Sequence, residues 1–248
     1  MKLNKNTISK IGRELQSLVK GEVLFDEFSR GRYSTDASIY QITPIGIVIP
    51  KDTNDVLRVL EYCKLNELPI LARGAGSSQC GQTVGECVVL DYSKFQNQIL
   101  DINLNEKTAW VQPGLVLDQL NAKIKQYDLC FPVDVSTSSR ATIGGMTGNN
   151  SCGSRSLYYG NMVHNVEAIE TILDDGSLYT FEKINNDYLI TKNNKNRQYK
   201  IIEELIKIYQ TYKHEISDNF PKTQRRVGGY NLDLINPSGF NTSNILVG

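Results

Sequence analysis

The chain has 248 residues, of which 40% are hydrophobic and 22% charged, so its composition is that of a globular protein rather than a disordered one. Lysine plus arginine number 27, as do aspartate plus glutamate, so the formal net charge is +0 and the basic excess typical of nucleic-acid-binding proteins is absent. No apolar run approaches the ~20 residues that span a membrane, and no apolar segment follows the N-terminus as in a signal peptide.

Cysteine and histidine counts restrict the redox and metal chemistry of the chain. The five cysteines are an odd number and form no C-x-x-C pair, so we expect no disulfide framework and a cytoplasmic location. The two histidines, His164 and His214, are too few and too far apart in sequence for a histidine-built zinc site. No metal site is therefore predicted in this chain.

The first ninety residues predict helices alternating with strands. A strand, a helix and a second strand within about 30 residues favour a parallel crossover unit. The predicted elements, in chain order, are an amphipathic helix at 1–20, an irregular polar stretch at 21–44, a strand at 45–49, a helix from Asp52 or Thr53, and strands at 69–72 and 87–91.

The remaining residues predict two hairpins and two helices. Trp110 lies in the first hairpin and is expected in the core. The predicted elements are a hairpin of 99–102 with 108–112, a helix at 115–127, a hairpin of 166–173 with 177–181, an exposed polar excursion at 185–198, a helix at 200–214, and a loop-like tail from Pro221 that ends in the opening of a strand at 244–248.

A short glycine-bearing loop follows the second predicted strand. Gly74 and Gly76 lack side chains, so the backbone can take a positive φ and an anion can approach it closely. Successive N–H groups in such a loop form a concave site for phosphate or pyrophosphate, and Ser77 and Ser78 add hydroxyl donors. Arg73 could add charge or cap the strand end. Taken alone, the loop is also compatible with an ordinary tight turn.

A second stretch, residues 132–153, is longer and rich in glycine, serine and threonine. It has no apolar periodicity, so it is not expected to form a regular core element, and its length favours an ordered functional loop. It contains almost no titratable group, which suits holding a large polar cofactor by neutral hydrogen bonds rather than acid–base catalysis. The dinucleotide fingerprint, the Walker loop and the nucleophile elbow are all absent.

The two loops, in this order, resemble the FAD-binding domain of the vanillyl-alcohol-oxidase/PCMH superfamily. The similarity is greatest to the FAD-linked 2-hydroxyacid dehydrogenases, the group of glycolate oxidase D-subunit, D-lactate dehydrogenase and D-2-hydroxyglutarate dehydrogenase. Segments 33–38 and 148–156 resemble the long members, in which this domain precedes an iron–sulfur domain. The resemblance covers about residues 30–248.

The resemblance implies an α+β fold of the PCMH type. An N-terminal helix at 1–21 would precede a small α/β subdomain at 22–92 and a second subdomain of antiparallel sheet and helices at 93–248. Relatives of this type carry a substrate-binding cap with metal-ligating histidines after the FAD-binding domain. The chain ends at Gly248, so we expect an incomplete second subdomain, no cap, and an N-terminal piece of a longer enzyme.

The resemblance also implies FAD bound without a covalent link. Many superfamily members attach the flavin through a histidine in the first loop, where this chain has Ser77 and Ser78. The resemblance names no catalytic residue in this chain. Matched position by position, it assigns cofactor contacts to Arg73, Gly74, Ala75, Gly76, Ser77, Ser78, Pro132, Asp134, Thr142, Gly144, Gly145, Asn150, Ser151, Gly153, Gly160 and Val166.

For the full-length protein, the resemblance implies hydride transfer from a D-2-hydroxy acid of lactate, glycolate or 2-hydroxyglutarate type to FAD. This chain alone is expected to be inactive. The partners implied are the C-terminal cap and an iron–sulfur domain or subunit, through which the enzyme could lie at a membrane surface. Two alternatives stay open: another PCMH-type flavoenzyme, such as UDP-N-acetylenolpyruvoylglucosamine reductase, and a non-catalytic FAD-binding or assembly subunit.

Several polar residues each have two interpretations. His164 could be a base or a loop histidine bonded to backbone. Cys152 could have a redox role or pack as a small buried residue. Arg155 could offset pyrophosphate charge or pair with a surface acid. Arg225 and Arg226 could serve a carboxylate or a partner domain, or form a solvated charge pair in a loop.

Overall fold

The computed structural model describes residues 3–184, 196–223, 226, 228–235 and 239–248. The chain divides into two compact units, which are described separately. Unit 1 contains Met1–Phe131, Thr137–Gly145 and Asp174–Gly176, and unit 2 contains Pro132–Ser136, Met146–Leu173 and Ser177–Gly248. The division at residues 21 and 92 that the family resemblance implies stays a prediction.

Unit 1 is built on a four-stranded sheet. Its strands are β1 (Glu22–Leu24), β2 (Gly46–Ile49), β3 (Ile70–Arg73) and β4 (Val88–Asp91), in the spatial order β1-β2-β4-β3. Strand β4 pairs in parallel with both β2 and β3, and β1 adds an antiparallel edge. All residues of β2 and β4 are buried, which explains why these segments are nearly continuous apolar runs without alternation.

The predicted crossover unit of strand, helix and parallel strand is confirmed, but its two strands are not neighbours in the sheet. Helix α3 (Thr53–Leu65) connects β2 to β3, which are parallel strands of one sheet, but β4 lies between them. Asp52 begins the helix as its N-cap, because its side chain accepts a hydrogen bond from the Asp55 N–H at 3.0 Å. The carboxyl ends of β3 and β4 therefore meet at the same edge of the sheet.

The N-terminal region contains more structure than the sequence predicts. The first predicted helix is confirmed as α1 (Lys5–Leu18), but the stretch 21–44 is not irregular throughout, since it contains β1 and α2 (Glu27–Arg32). These elements have three and six residues, too few for a periodic apolar pattern. The buried carboxylate of Asp55 accepts the N–H groups of Lys20 and Gly21, each at 2.8 Å, and so fixes the turn into β1.

The first predicted hairpin is present, but its tryptophan is not in the core. Strands β5 (Ile99–Asn103) and β6 (Thr108–Val111) pair in antiparallel, and α4 (Leu117–Ile124) follows. Trp110 is 44% exposed, so the expectation of a core residue is wrong. In a sheet of two strands one face points to solvent, and Trp110 lies opposite the exposed Asp101 on that hairpin.

The second predicted hairpin and the last predicted helix are found in unit 2. The hairpin consists of β7 (Ile169–Ile172) and β8 (Leu178–Phe181), and a short helix, α6 (Ser156–Tyr159), precedes it. Helix α7 (Arg197–Asn219) is longer than predicted, and the buried Ile202 and Ile206 on it belong to the hydrophobic core of this unit. Of the predicted polar excursion at 185–198, residues 185–195 lie outside the described residues, and the rest begins α7.

Two short helical segments correct the sequence-based predictions. The stretch 132–153 was expected to lack a regular element, but it contains α5 (Ile143–Gly148). The C-terminal run 244–248 was expected to open a strand, but residues Thr242–Leu246 form a 3-10 helix capped by the Asn241 side chain. Both segments are about one or two turns long, a length at which side-chain capping and tertiary packing outweigh apolar patterning. Across the described ranges, no helix has both the length and the apolar composition needed to cross a bilayer.

Candidate functional site

The first glycine-bearing loop, residues 74–78, leaves the carboxyl end of β3. Within the described part of the chain, no acceptor is found for the backbone N–H groups of Ala75, Gly76 and Ser77. Gly76 has a φ of 66°, a conformation that favours glycine. The Ser78 hydroxyl donates to Gln82 Oε1 and accepts from the Cys80 N–H at 3.1 Å. The loop thus offers unpaired backbone donors, which is the chemistry that a phosphate or pyrophosphate requires.

Thr142 brings part of the second predicted loop against the first one, inside unit 1. A Cβ added to Gly74 would overlap the Thr142 hydroxyl and lie 3.3 Å from its Cβ, so the Gly74 backbone lies directly against the Thr142 side chain. The Thr142 hydroxyl accepts the Gly145 N–H at 3.3 Å, and Gly144 donates to the Pro113 carbonyl at 2.8 Å. Four of the predicted cofactor contacts, namely Gly74, Thr142, Gly144 and Gly145, therefore form one cluster.

Arg73 is buried beneath this loop. It is 9% exposed, and its guanidinium donates to the carbonyl oxygens of Tyr33 at 3.2 Å, Thr35 at 2.8 Å and Thr83 at 3.0 Å. Burial lowers the pKa of the guanidinium, and the nearby Asp91 carboxylate opposes this change. The side chain is thus bound to the protein's own backbone.

Tyr33 and Asp91 complete the surroundings of Arg73 and were not among the predicted site residues. The Tyr33 hydroxyl donates to Asp91 Oδ2 at 2.5 Å, and burial together with this contact raises the pKa of the phenol. Asp91 ends β4 beside Arg73, which ends β3. Arg73 and Asp91 each end a predicted strand, and parallel strands end at the same edge of a sheet. Their proximity could therefore have been predicted from the sequence.

In unit 2, Asp134 and Gly153 lie against each other. A Cβ on Gly153 would overlap the Asp134 carbonyl oxygen and lie 2.5 Å from the carbonyl carbon. The Asp134 carboxylate accepts the Ser154 hydroxyl at 2.6 Å and the Arg155 N–H at 2.9 Å. Burial raises the pKa of Asp134, but these hydrogen bonds outweigh it, so the net shift is downward. The Asp134 carboxylate is therefore bound by Ser154 and Arg155 of the same unit.

Asn150 and Ser151 are also bound within unit 2. Asn150 is 2% exposed with a φ of 40°, and its side-chain oxygen accepts the Val163 N–H at 3.0 Å. The Ser151 carbonyl accepts the Met162 N–H at 3.0 Å. These contacts fold residues 150–163 back on themselves.

The other predicted contacts of unit 2 are backbone positions. Gly160 has a φ of 77°, and its Cα passes close to the His164 ring. The Val166 carbonyl accepts from the Asn241 side chain at 3.2 Å, and Pro132 is partly exposed. His164 Nδ1 accepts the Asn161 N–H at 3.0 Å. Of the two interpretations of His164, a base or a histidine bonded to backbone, the structure shows the second.

Of the remaining polar candidates, Arg226 forms an ion pair with Asp233 at 2.7 Å, as expected for a charge pair in a loop. Arg225 lies outside the described residues, and Cys152 is partly exposed. Among the described residues, no group of three histidine, cysteine, aspartate or glutamate side chains could hold a metal ion.

Unpaired backbone donors after a parallel strand, with Thr142 against the same loop, are features of a site for the phosphate groups of a cofactor. Comparison with known proteins identifies which kind. The family model for the FAD binding domain matches residues 44–182, more than half of the chain. The chain belongs to this family of FAD-binding domains, and its cofactor is FAD.

Two groups of relatives are similar to this chain. The D-2-hydroxyglutarate dehydrogenase of Pseudomonas putida is 33% identical over 238 residues, which cover 92% of this chain and 23% of that protein. The glycolate oxidase subunit GlcD of Bacillus subtilis is 37% identical over 178 residues, which cover 69% of this chain and 37% of that protein. The chain thus spans well under half of the length of these relatives.

Solved structures support the fold. Alkyldihydroxyacetonephosphate synthase matches with a TM-score of 0.62 at 21% identity, covering 73% of this chain and 34% of that one. p-Cresol methylhydroxylase with bound substrate matches with a TM-score of 0.58 at 21% identity, covering 72% and 36%. At this level of identity the likeness concerns the fold alone, and it confirms the predicted α+β fold of the PCMH type.

Proposed function

We propose that this chain is the FAD-binding part of an enzyme that oxidises a D-2-hydroxy acid of lactate, glycolate or 2-hydroxyglutarate type. The observation that carries the proposal is the set of unpaired N–H groups at Ala75, Gly76 and Ser77. The similarity to D-2-hydroxyglutarate dehydrogenases and to glycolate oxidase subunits supports the substrate class. Intact donors in the loop favour cofactor binding over a purely structural assembly subunit.

The residues of the chain have distinct roles in this proposal. The N–H groups of Ala75–Ser77 bind the pyrophosphate, and Ser78 closes the loop through Gln82. Gly74, Thr142, Gly144 and Gly145 allow the second backbone segment to approach the first. These residues would hold FAD, which would supply the hydride acceptor for C2 of the substrate, while the protein supplies binding and orientation.

The predicted contacts of unit 2 act through the backbone in this proposal. The side chains of Asp134 and Asn150 are bound internally, and Gly153 packs against Asp134. Together with Pro132, Ser151, Gly160 and Val166 they would present main-chain atoms and small surfaces to the cofactor.

We further propose that FAD is held without a covalent bond. The first loop carries Ser77 and Ser78 where a histidine would be needed, and the described histidine nearest in sequence, His164, is bonded to Asn161. The complete enzyme would act in the cytoplasm with a cap and an iron–sulfur domain or subunit as partners, at a membrane surface if a partner lies there. The chain by itself would oxidise a 2-hydroxy acid slowly or not at all.

Gel filtration of the purified chain after incubation with FAD tests the proposal. We expect flavin absorbance to co-migrate with the protein and to separate from it on denaturation, with the unmodified mass retained. Reduction of an artificial dye should be negligible with D-lactate, glycolate and D-2-hydroxyglutarate. A chain that takes up no FAD would overturn the cofactor role, a mass increase of one flavin would overturn the non-covalent link, and rapid dye reduction would overturn the need for further domains.

A further inference from the structure

The position of Arg73 is unexpected for a residue next to a pyrophosphate site. An arginine that pairs with a phosphate presents its forked donors to the ligand. Here the guanidinium is buried, and its donors reach three backbone carbonyls, two on the segment of Tyr33 and Thr35 and one at Thr83. The side chain therefore joins the segment between β1 and β2 to Thr83, which lies beyond the loop.

The guanidinium also fixes the middle of the loop. A Cβ on Gly76 would lie 2.9 Å from Cζ and 3.0 Å from Nε of Arg73, so the Gly76 backbone passes directly over the guanidinium. The Tyr33 ring lies 5.2 Å from Cζ, within the range of a cation–π contact. Because Gly76 has no side chain, the loop can rest on this cation with its N–H groups unpaired.

The positive charge of Arg73 is balanced inside the protein. The Asp91 carboxylate, held by the Tyr33 hydroxyl at 2.5 Å, is the nearest acid in the strand register. Asp36 accepts the Thr83 hydroxyl at 3.0 Å and interacts electrostatically with Arg73. Two acids near the guanidinium thus offset part of its positive charge.

We propose that Arg73 is a positioning residue for FAD: its guanidinium shapes the backbone from Gly74 to Thr83 so that the N–H groups of the loop can bind the pyrophosphate, and it does not pair with the phosphates. This inference rests on the FAD function proposed above. Arg73 thereby differs from the loop residues that contact the cofactor directly.

Replacing Arg73 by lysine and by glutamine distinguishes the hydrogen bonds of the guanidinium from its positive charge as the cause of any change in FAD affinity. Lysine keeps the positive charge but cannot bridge three carbonyls, so R73K and R73Q should both weaken FAD binding by about tenfold or more, and to a similar extent. The dependence of FAD affinity on salt concentration should be unchanged in both variants, because no ion pair with the ligand is lost. Gly31→Ala, a helix position with open space around it, is the control and should bind FAD like the wild type.

An affinity that R73K retains and R73Q loses, with a weaker salt dependence in R73Q, would overturn the proposal in favour of a direct phosphate contact. Circular dichroism and thermal unfolding identify variants that fail to fold. For that case a milder pair is available, Gly76→Ala and Thr83→Val. Gly76→Ala should weaken FAD binding because the methyl group meets the guanidinium and alanine is strained at a φ of 66°. Thr83→Val should weaken it less, because it removes only the hydroxyl contact with Asp36 and keeps the carbonyl that Arg73 binds. Wild-type affinity in both would contradict the proposal.

Amide exchange of the protein without FAD tests the same claim independently of cofactor binding. The paired N–H groups of Ser34, Cys80 and Val84 should exchange faster in R73K than in the wild type, because the contacts of Arg73 that hold their segments are lost. Unchanged exchange in R73K would overturn the positioning role. A wild type that binds no FAD would instead overturn the proposed function and leave this exchange result to decide the role of Arg73.

Discussion

The two glycine-bearing regions use small residues for opposite purposes. In the loop at 74–78 of unit 1, glycine keeps backbone N–H groups unpaired above a buried cation. In unit 2, where Gly153 meets Asp134, glycine allows two segments to touch, and the polar side chains bind neighbouring side-chain and backbone groups. The first region therefore offers backbone donors to a ligand, whereas the polar side chains of the second are satisfied by their own contacts.

This difference teaches how similar compositions produce different chemistry. Both regions are rich in glycine and serine, and in sequence both suggest hydrogen bonds to a cofactor. The two regions differ in the side chains that lie next to their backbone. Arg73 supports the first loop from below through its side chain, while Asp134 and Asn150 bind the N–H groups of Arg155 and Val163, which follow the second region.

The largest effect is expected from Gly153→Ala. A Cβ at this position would overlap the Asp134 carbonyl, and the neighbouring atoms are backbone that cannot yield, so the free energy of unfolding should fall by about 3 kcal/mol. Urea denaturation measures it. Gly148→Ala is the matched control, since no atom lies within 4 Å of its Cβ. Equal stability of the two variants would show that the second region is not closely packed.

A smaller loss is expected from replacing Asn150. Asn150→Ala leaves the Val163 N–H without its partner, at a cost of about 2 kcal/mol. Asn150→Gly loses the same hydrogen bond but accepts the φ of 40° without strain, so it should be more stable than the alanine variant by about 1 kcal/mol. Thermal unfolding of both variants measures the difference. Wild-type stability in both would contradict the role of this side chain.

The smallest effect concerns acid stability and Asp134. Its pKa is lowered in the folded protein, so its ionised form contributes stability above its ordinary pKa of 3.8 and loses that contribution as pH falls through the lower folded value. The melting temperature of Asp134→Asn should therefore decline less on acidification than that of the wild type. Asp101→Asn, at an exposed strand position, controls for removing one acid. Parallel curves for Asp134→Asn and wild type would contradict the account.

Much of the fold could be predicted from the sequence, because buried parallel strands and amphipathic helices leave strong patterns. The runs that became β2 and β4 are examples, as is the helix α3 between β2 and β3. Short elements could not be predicted in this way: β1, α2 and the C-terminal 3-10 helix depend on single capping residues such as Asp26 and Asn241 and on tertiary contacts. The exposure of Trp110 could not be predicted from the sequence either, because it depends on the sheet of β5 and β6 having only two strands.

The candidate site was predictable in outline but not in its internal contacts. Two glycine-bearing loops and their order suffice to suggest FAD, and the cluster of Gly74 with Thr142 joins them in unit 1. The sequence does not show that the Arg73 side chain turns beneath the loop, or that the Asp134 carboxylate binds Ser154. Side-chain direction depends on the packing of several segments, which no local pattern encodes.

An NMR titration of the ¹⁵N-labelled chain tests the central claim most directly, because it observes the backbone N–H groups of both regions at once. On addition of FAD, the amide signals of Ala75, Gly76 and Ser77 should shift most, and riboflavin, which lacks the phosphates, should leave them in place. The account would be contradicted if these three signals stayed unchanged at saturating FAD, or if riboflavin shifted them as strongly.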